Sequence, residues 1–330
     1  MELAAVVVVP DTLDFGVASK LQSLAAVSSG LGRAASSCLL PILGNDVLQT
    51  WTDRIRKVGV RDIWLTSASQ HGMAETKPAL RQLVRQGIER LLMIKLKSYA
   101  EMDLSDLVRF HCERGSSVTE VLDSHGRLGI SLYDQLALSV EGRAGNFTRS
   151  ACTQYSFDGY AKRILTAKER QELVCDALTG ACAMRPVGEQ IGEQVWMGND
   201  VDIAQSAKIV GPSYIGDRAT IRAGTTIGPF ASVECDCVVD CGTAVERSTV
   251  LPATYVGIGL MVRHAMVDGS QLQDLDSGVV ADLQPAGLAR RISQRRSKHK
   301  TFWVDPQISS PDWNAWLGGQ YAHLYQQVQS

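Results

Sequence analysis

Between residues 195 and 254 the hydrophobic positions recur every six residues. One aliphatic side chain stands at the same place in each hexad, at Met197, Ile203, Ile209, Ile215, Ile221, Ile227, Val233, Val239, Val245 and Leu251. Two positions before each sits a small or β-branched residue, from Val195 and Val201 through Ala207, Ser213, Ala219, Thr225, Ala231, Cys237 and Thr243 to Thr249. An α-helix repeats at about 3.6 residues and a strand at about two, so a period of six predicts short strands joined by tight corners. Gly198, Gly216, Gly224, Gly228 and Gly242 supply corner residues. Burying ten such side chains at ~2 kcal/mol each gives the segment a core of its own, before chain entropy is subtracted.

The first half of the chain is patterned differently. Residues 4–9, with β-branched Val6 to Val9, predict a strand, and the Ser- and Gly-rich run 28–37 a loop. Leu48, Trp51, Ile55 and Val58 fall on one helical face, with Asn45 or Asp46 as the cap and Gly59 as the stop. Strands follow over 61–66, 90–94 and 118–122, the last turning at His125, Gly126 and Arg127. Helices are predicted over 77–87 and 104–115, the second with Leu104, Leu107, Val108 and Cys112 on one face. Alternation of this kind predicts an α/β fold with a mostly parallel sheet. The expected division is an α/β domain over 1–155, a connecting helix and linker over 156–190 with its helix at 167–178, a repeat rod over 191–270 and a tail over 271–330.

Composition narrows the class without choosing a function. A hydrophobic content of 45%, a charged content of 21% and a formal charge of −2 describe an ordinary soluble chain and speak against a nucleic-acid partner. The apolar start, residues 1–10, has no basic opening and is too short to span a bilayer, so it reads as a buried strand and not as an export signal. Eight cysteines without a Cys-x-x-Cys pair fit free thiols in a cytoplasmic protein.

The hexads resemble the hexapeptide repeat of left-handed parallel β-helices. The run CLLPILGNDVLQTWTDRIRKVGVRDIWLT over 38–66, the run LLMIKLKSYAEMDLSDLVRFHCERGSSVTEVLDSHGRLG over 91–129 and GYAKRILTAKERQELVCDALTG over 159–180 resemble, in the same order, the sugar-1-phosphate nucleotidyltransferases. Mannose-1-phosphate guanylyltransferases and other NDP-sugar pyrophosphorylases belong to that family. The resemblance implies a truncated Rossmann-like nucleotidyltransferase domain followed by a left-handed β-helix. It also implies a reaction that joins a sugar phosphate to a nucleoside triphosphate with Mg²⁺.

That chemistry needs backbone donors from a Gly-rich loop, a basic side chain and carboxylates for the metal. Aligned on the resemblance, the first strand is followed by Pro10, Asp11 and Thr12 instead of the Gly-rich loop. The lysine of the family's Pro-Lys-Pro run falls on Ser37, and its metal-binding aspartate falls on Lys97. Asp103 alone matches an acidic family position, and that position is not catalytic. The segment 66–91 is too short for the base- and sugar-recognising loop and holds no Gly-Thr-Ala triplet. The N-terminal domain therefore reads as degenerate, with no catalytic residue, no metal ligand and no cofactor assigned, Mg²⁺ entering only if the chain is an active enzyme after all.

Lys95 and Lys97 are candidates to grip a phosphate as point charges, or are solvated lysines at a strand end. Arg33, beside Gly30 and Gly32, is a third phosphate candidate or part of a plain turn. Hexapeptide rods also carry acyltransferases, whose base is usually a histidine at the rod surface; His264 is the candidate here, or a structural residue. Cys235, Cys237 and Cys241 suggest a metal site less well than packing, since the hexad phase turns Cys237 inward. Arg290, Arg291, Arg295, Arg296, Lys298 and Lys300, followed by Trp303, Trp313, Trp316, Tyr321 and Tyr325, suit a partner, an anionic membrane surface or a segment folded back on the chain. The expectation is a nucleotidyltransferase-like protein without turnover, acting by binding, scaffolding or regulation in cell-surface polysaccharide synthesis. It would work as a homo-oligomer or with an active synthase or polysaccharide enzyme, and a nucleotide or sugar nucleotide is a candidate ligand. The alternatives are an active, divergent NDP-sugar synthase and a hexapeptide acyltransferase.

Overall fold

The computed structural model describes residues 3–10, 19–20, 40–60, 62–68, 85, 87–135, 152–283 and 287–292. The predicted loop at 28–37, most of the predicted helix at 77–87 and the tail from 293 onward lie outside them. No described helix is long and apolar enough to cross a membrane.

The first unit is a seven-stranded mixed sheet with helices against it. Its strands are β1 (Leu3–Pro10), β2 (Ser19–Lys20), β3 (Ile63–Ala68), β4 (Arg90–Lys95), β6 (Val118–Asp123), β7 (Gly126–Asp134) and β8 (Cys152–Ser156), while β5 (Ser98–Ala100) pairs apart from it with β9 (Ala161–Arg163). The order is β2-β3-β1-β4-β7-β6-β8. The strands β3, β1 and β4 run parallel in the middle, as the alternation predicts, but β7 inserts antiparallel between β4 and β6. The predicted turn at 125–127 is in fact the tip of a hairpin, with Ser124 and His125 at the bend and Gly126 already in β7. The sequence offers 126–134 as no strand because its Gly, Arg and Ser residues interrupt the alternation.

Successive residues of β1 face opposite sides of the sheet, and both sides are buried. Ala5, Val7 and Val9 join a core with Leu92, Ile94, Ile63 and Leu65, while Ala4, Val6 and Val8 pack with Trp64, Leu91 and Met93. Helix α1 (Val47–Lys57) lies on the first side, turning Val47, Leu48, Trp51 and Ile55 inward. The side chain of Asp46 caps it by accepting from the N–H groups of Leu48 and Gln49. Helix α2 (Leu104–Arg114) is capped by Asp103 and ends at Gly115 in the left-handed region. Its inward residues are Leu104, Leu107 and His111; Cys112, predicted inward, is exposed. His111 lies just over one turn beyond Leu107 and bonds Thr119 through Nδ1 at 2.8 Å, which is how a polar residue holds that place. Helix α3 (Ala167–Thr179) opens with a capping box between Thr166 and Glu169.

From Val195 the chain forms three ladders of short parallel strands. Val195 pairs with Ser213 and Ser213 with Ala231, Asp202 pairs with Thr220 and Thr220 with Val238, and Lys208 pairs with Thr226 and Thr226 with Ala244. Three hexads thus close one three-sided coil. The repeated aliphatic residues fill the interior from Ile215 to Val245, and Ala219, Ala231 and Cys237 pack beside them. In the first coil Ile203 and Ile209 are only partly covered.

The six-residue phase slips after Val245. Val233 pairs with Val250, one residue sooner than the repeat predicts, and Val239 and Val245 pair with Val256 and Val262. Leu251 therefore leaves the interior column, Val250 takes the place, and Leu251 packs on Ala167 of α3 with Met266 and Leu275. The corner holding Arg247 is one residue shorter than the corner holding Pro229 and Phe230, which is the physical cause of the slip. Residues 271–292, assigned to the tail from sequence, close the far end. Gln271–Asp274 pairs antiparallel with Ala265–Asp268, Val280–Asp282 pairs with it in turn, and Ala289–Arg291 pairs with Thr254–Val256.

One buried carboxylate joins the coil to the sheet. Glu234 has no exposed surface, and it accepts from the N–H of Leu43 at 2.8 Å, the N–H of Gly44 at 3.0 Å and the hydroxyl of Ser232 at 3.0 Å. Arg170 of α3, also buried, donates to the carbonyls of Leu40 and Pro41 in the same loop and places its charge near Glu234. Gln171 completes the seam by donating to the carbonyl of Phe230 at 2.9 Å and accepting from Thr249 at 2.6 Å.

Burial pushes the Glu234 carboxyl up from 4.5 to about 7, against the N–H groups, the Ser232 hydroxyl and Arg170, which favour its charge. Tyr214 and Cys235 face it as well, and neither helps to hold that charge. A folded-state pKa above the unfolded value gives stability that is complete below pH ~4.5 and lost as pH rises through about 7. The loss is on the order of 3 kcal/mol. His111, held below its ordinary range by burial, has the opposite sign and loses stability as pH falls below its usual range. We therefore expect a Glu234→Gln chain to lose only the first component. Its denaturation free energy minus that of wild type should climb between pH 5 and 7 and then level, and parallel pH profiles would remove Glu234 as the cause.

Candidate anion-binding site

In open α/β sheets, ligands settle beyond the carboxyl ends of the strands where the strand order reverses. Here β1 is followed through α1 by β3 on one side, and β4 lies on the other side, so the reversal falls between β1 and β4. The chain leaves β4 through Lys95, Leu96 and Lys97. Leu96 donates to the carbonyl of Val8 at 2.8 Å, which holds this turn against the end of β1, while Leu96 itself points into the core. Lys95 is thereby left exposed and Lys97 half-buried.

Two further strands flank the turn. Gly129 of β7 is extended to the lysines so closely that a Cβ there would come within 2.6 Å of Lys97 Cε and 3.3 Å of the Lys95 carbonyl. On the other side, Ile164 donates to the carbonyl of Lys97 at 3.0 Å, and Arg163 pairs with Ser98 across β5 and β9. Because neighbouring residues of a strand alternate in direction, Lys162 turns instead to α3, where it meets Glu172 at 3.0 Å and Asp176 at 3.4 Å. Arg163 turns toward the turn and forms a fork on Asp123, at 3.1 and 3.2 Å. Arg127 reaches Glu120 at 3.0 Å.

Four cations thus gather around one turn, and two carboxylates answer them. Among the described residues neither Lys95 nor Lys97 meets an acidic group. Burial, and then the charges of Lys95, Arg163 and Arg127, hold the Lys97 ammonium below the usual lysine range. Burial alone would raise the Asp123 carboxyl, but the Arg163 fork and the His125 N–H hold it below the carboxylate range. Asp123 therefore stays ionised and fixes Arg163 in place.

Of the residues singled out from sequence, Lys95 and Lys97 come together, and Arg33 lies outside the described residues. Arg127 and Arg163 carried no signal in the sequence, since only the pairing of β7 and β9 around the turn brings them in. Asp103 is exposed at the start of α2, where its carboxylate accepts from Ser105 N–H at 2.8 Å; its role is a helix cap. His264 is exposed at a coil corner with a positive φ of 47° and lies near Asp274, whose carboxylate is already engaged by Ser277 and Asp276. Cys237 is wholly buried and donates to the Leu251 carbonyl at 3.0 Å, and burial pushes its thiol up, as it pushes that of Cys235 up to about 11. Thiols held protonated in this way are poor metal ligands. The seven described cysteines are free, and among the described residues no three His, Cys, Asp or Glu are grouped to hold a metal ion.

A divalent cation does not fit the end of β4. A unit charge 4 Å from another costs or gains about 4 kcal/mol at an effective dielectric of 20, and among the described residues the charges that act on Lys97 are those of Lys95, Arg163 and Arg127, all positive. The same repulsion burdens the protein itself. Lys97→Met keeps the apolar stem and removes the crowded charge, so its melting temperature should rise above that of wild type at pH 7, with the gap narrowing in high salt; calorimetry showing a drop would mean that the ammonium has a stabilising partner.

No protein-family model matches this chain, and no curated protein matches it. Among solved structures, one similar chain is described as a glucose-1-phosphate thymidylyltransferase from Bacillus anthracis, in complex with a sucrose. It is 12% identical, with a TM-score of 0.38, and the match covers 52% of this chain and 93% of that one.

Proposed function

We propose that this protein is a relative of the sugar-1-phosphate nucleotidyltransferases that binds a phosphate-bearing ligand, a nucleotide or sugar nucleotide, without turning it over. Its coil, winding left-handed, serves association with a second copy or with an active synthase, and the protein acts as a scaffolding or regulatory component of cell-surface polysaccharide synthesis. The observation that carries the reading is Lys97, which stands with Lys95 at the carboxyl end of β4, where the family's chemistry calls for a carboxylate on Mg²⁺. An ammonium cannot ligate a metal, but it can hold a phosphoryl oxygen.

The test is calorimetric titration of the full chain with GTP, UTP, dTTP, ATP and CTP, each with Mg²⁺ and with EDTA, beside an assay for pyrophosphate release with sugar phosphates. We expect at least one nucleotide to bind in EDTA and no pair to release pyrophosphate. Binding that requires Mg²⁺, accompanied by turnover, would return the active synthase to first place.

A further inference from the structure

We propose that Lys95, Lys97, Arg127 and Arg163 form a fixed-cation cradle for a diphosphate group, in which protein charges occupy the role of a divalent metal. The inference rests on the phosphate-binding reading above and specifies both the group bound and the independence from metal.

The cradle is built rather than incidental. The 95–98 turn is pinned on one side by β7 and on the other by β9, and it is anchored below by Leu96 on Val8. Gly129, at a positive φ of 83° and without a side chain, leaves the room in which the Lys97 stem lies. Arg127 stands two residues from Gly129 on β7 and so faces the same side. Asp123 and Glu120 each hold one guanidinium, which fixes its orientation before any ligand arrives. What they leave is the charge of two lysines, one of which, Lys97, is half-buried; burial first, and then the neighbouring cations, hold its ammonium below the usual lysine range. An anion would offset those cations on entry.

A diphosphate suits the arrangement better than a single phosphate. The backbones that carry the arginines lie to either side of the turn, each about one strand spacing of ~4.8 Å from it, so a ligand with two phosphoryl centres can be met from both sides at once. Asp123 already takes the Arg163 fork and Glu120 meets Arg127 Nε, so the guanidiniums offer a diphosphate only the N–H groups that those carboxylates leave, and the lysines supply the point charge. In this class of ligand a bound Mg²⁺ ordinarily offsets the charge on the phosphates. Here it would compete with the protein for the same oxygens.

The probe is inorganic pyrophosphate, titrated into the full chain by calorimetry at low salt in EDTA and again with Mg²⁺, with melting temperature as a second readout. We expect micromolar binding in EDTA, a melting point raised by ligand, and weaker binding with Mg²⁺. Lys95→Gln and Lys97→Gln should each weaken it at least tenfold, while Lys208→Gln, on an exposed part of the coil, leaves it unchanged. Gly129→Ala tests positioning and should weaken binding without removing a charge. A melting curve for each variant separates loss of the site from loss of the fold, and Lys95, being exposed, can be changed without disturbing the core. The proposal is overturned if pyrophosphate needs Mg²⁺, or if folded Lys95→Gln and Lys97→Gln bind as Lys208→Gln does. If pyrophosphate fails while a nucleoside triphosphate binds in EDTA, this assignment falls and the broader functional reading stands. If neither binds, both fall.

Discussion

A carboxylate with no exposed surface is expensive to hold, and the arrangement of this molecule follows from how Glu234 is held. Its oxygens are met by two consecutive main-chain N–H groups, those of Leu43 and Gly44, which point the same way because both residues take positive φ. Residues 42 and 45 close that turn by a mutual pair of backbone bonds at 2.9 Å, and Arg170 ties down Leu40 and Pro41 from α3. A Cβ at Gly44 would strike the Tyr214 hydroxyl at 2.5 Å, so the loop approaches the coil as closely as a backbone can. The coil, the connecting helix and the first helix of the sheet unit are thus fixed by one set of bonds.

From that loop the support continues to the cation cluster. Asp46, the next residue but one after Gly44, caps α1, and α1 reaches across to the strand that follows Lys97. Trp51 donates to the carbonyl of Ser98 at 3.2 Å, and Arg54 donates to the carbonyl of Ala100 while lying over the rings of Trp51 and Tyr99. The turn bearing Lys95 and Lys97 therefore rests on the same frame that grips the coil. This accounts for how like charges can be kept together: their backbone is held by bonds that do not involve the charges, while burial first and the neighbouring cations second lower the Lys97 pKa.

Much of the coil was legible before any coordinates, because a period of six residues has few structural solutions. The interior residues from Ile215 to Val245 could be named one by one, and Cys237 could be turned inward by phase alone. The failure at Leu251 is equally instructive: a repeat predicts its next member only while every corner has the same length, and the corner at Arg247 is one residue shorter. In the sheet unit the buried central strand and the capped amphipathic helices were readable from β-branched runs and helical spacing. The antiparallel β7 was not, since its glycines and polar residues look like a turn until a neighbour fixes its register. Nor was His111, whose inward place depends on the Thr119 hydroxyl of β6.

What the sequence determined by itself is local or periodic: the hexad column, a cap for the first helix at Asn45 or Asp46, the burial of β1, and the presence of Lys97, with Lys95 beside it, where a carboxylate is expected from resemblance. These depend on residues within a few positions of one another, so spacing carries the information. Only the tertiary structure decided that Glu234, one polar residue among many on the coil, would be sealed beneath residues 43 and 44, about two hundred positions away in the chain. It also decided that Arg127 and Arg163 would join the two lysines. Such meetings are set by which strands pair and how closely backbones approach, and no short-range pattern in a single sequence encodes them.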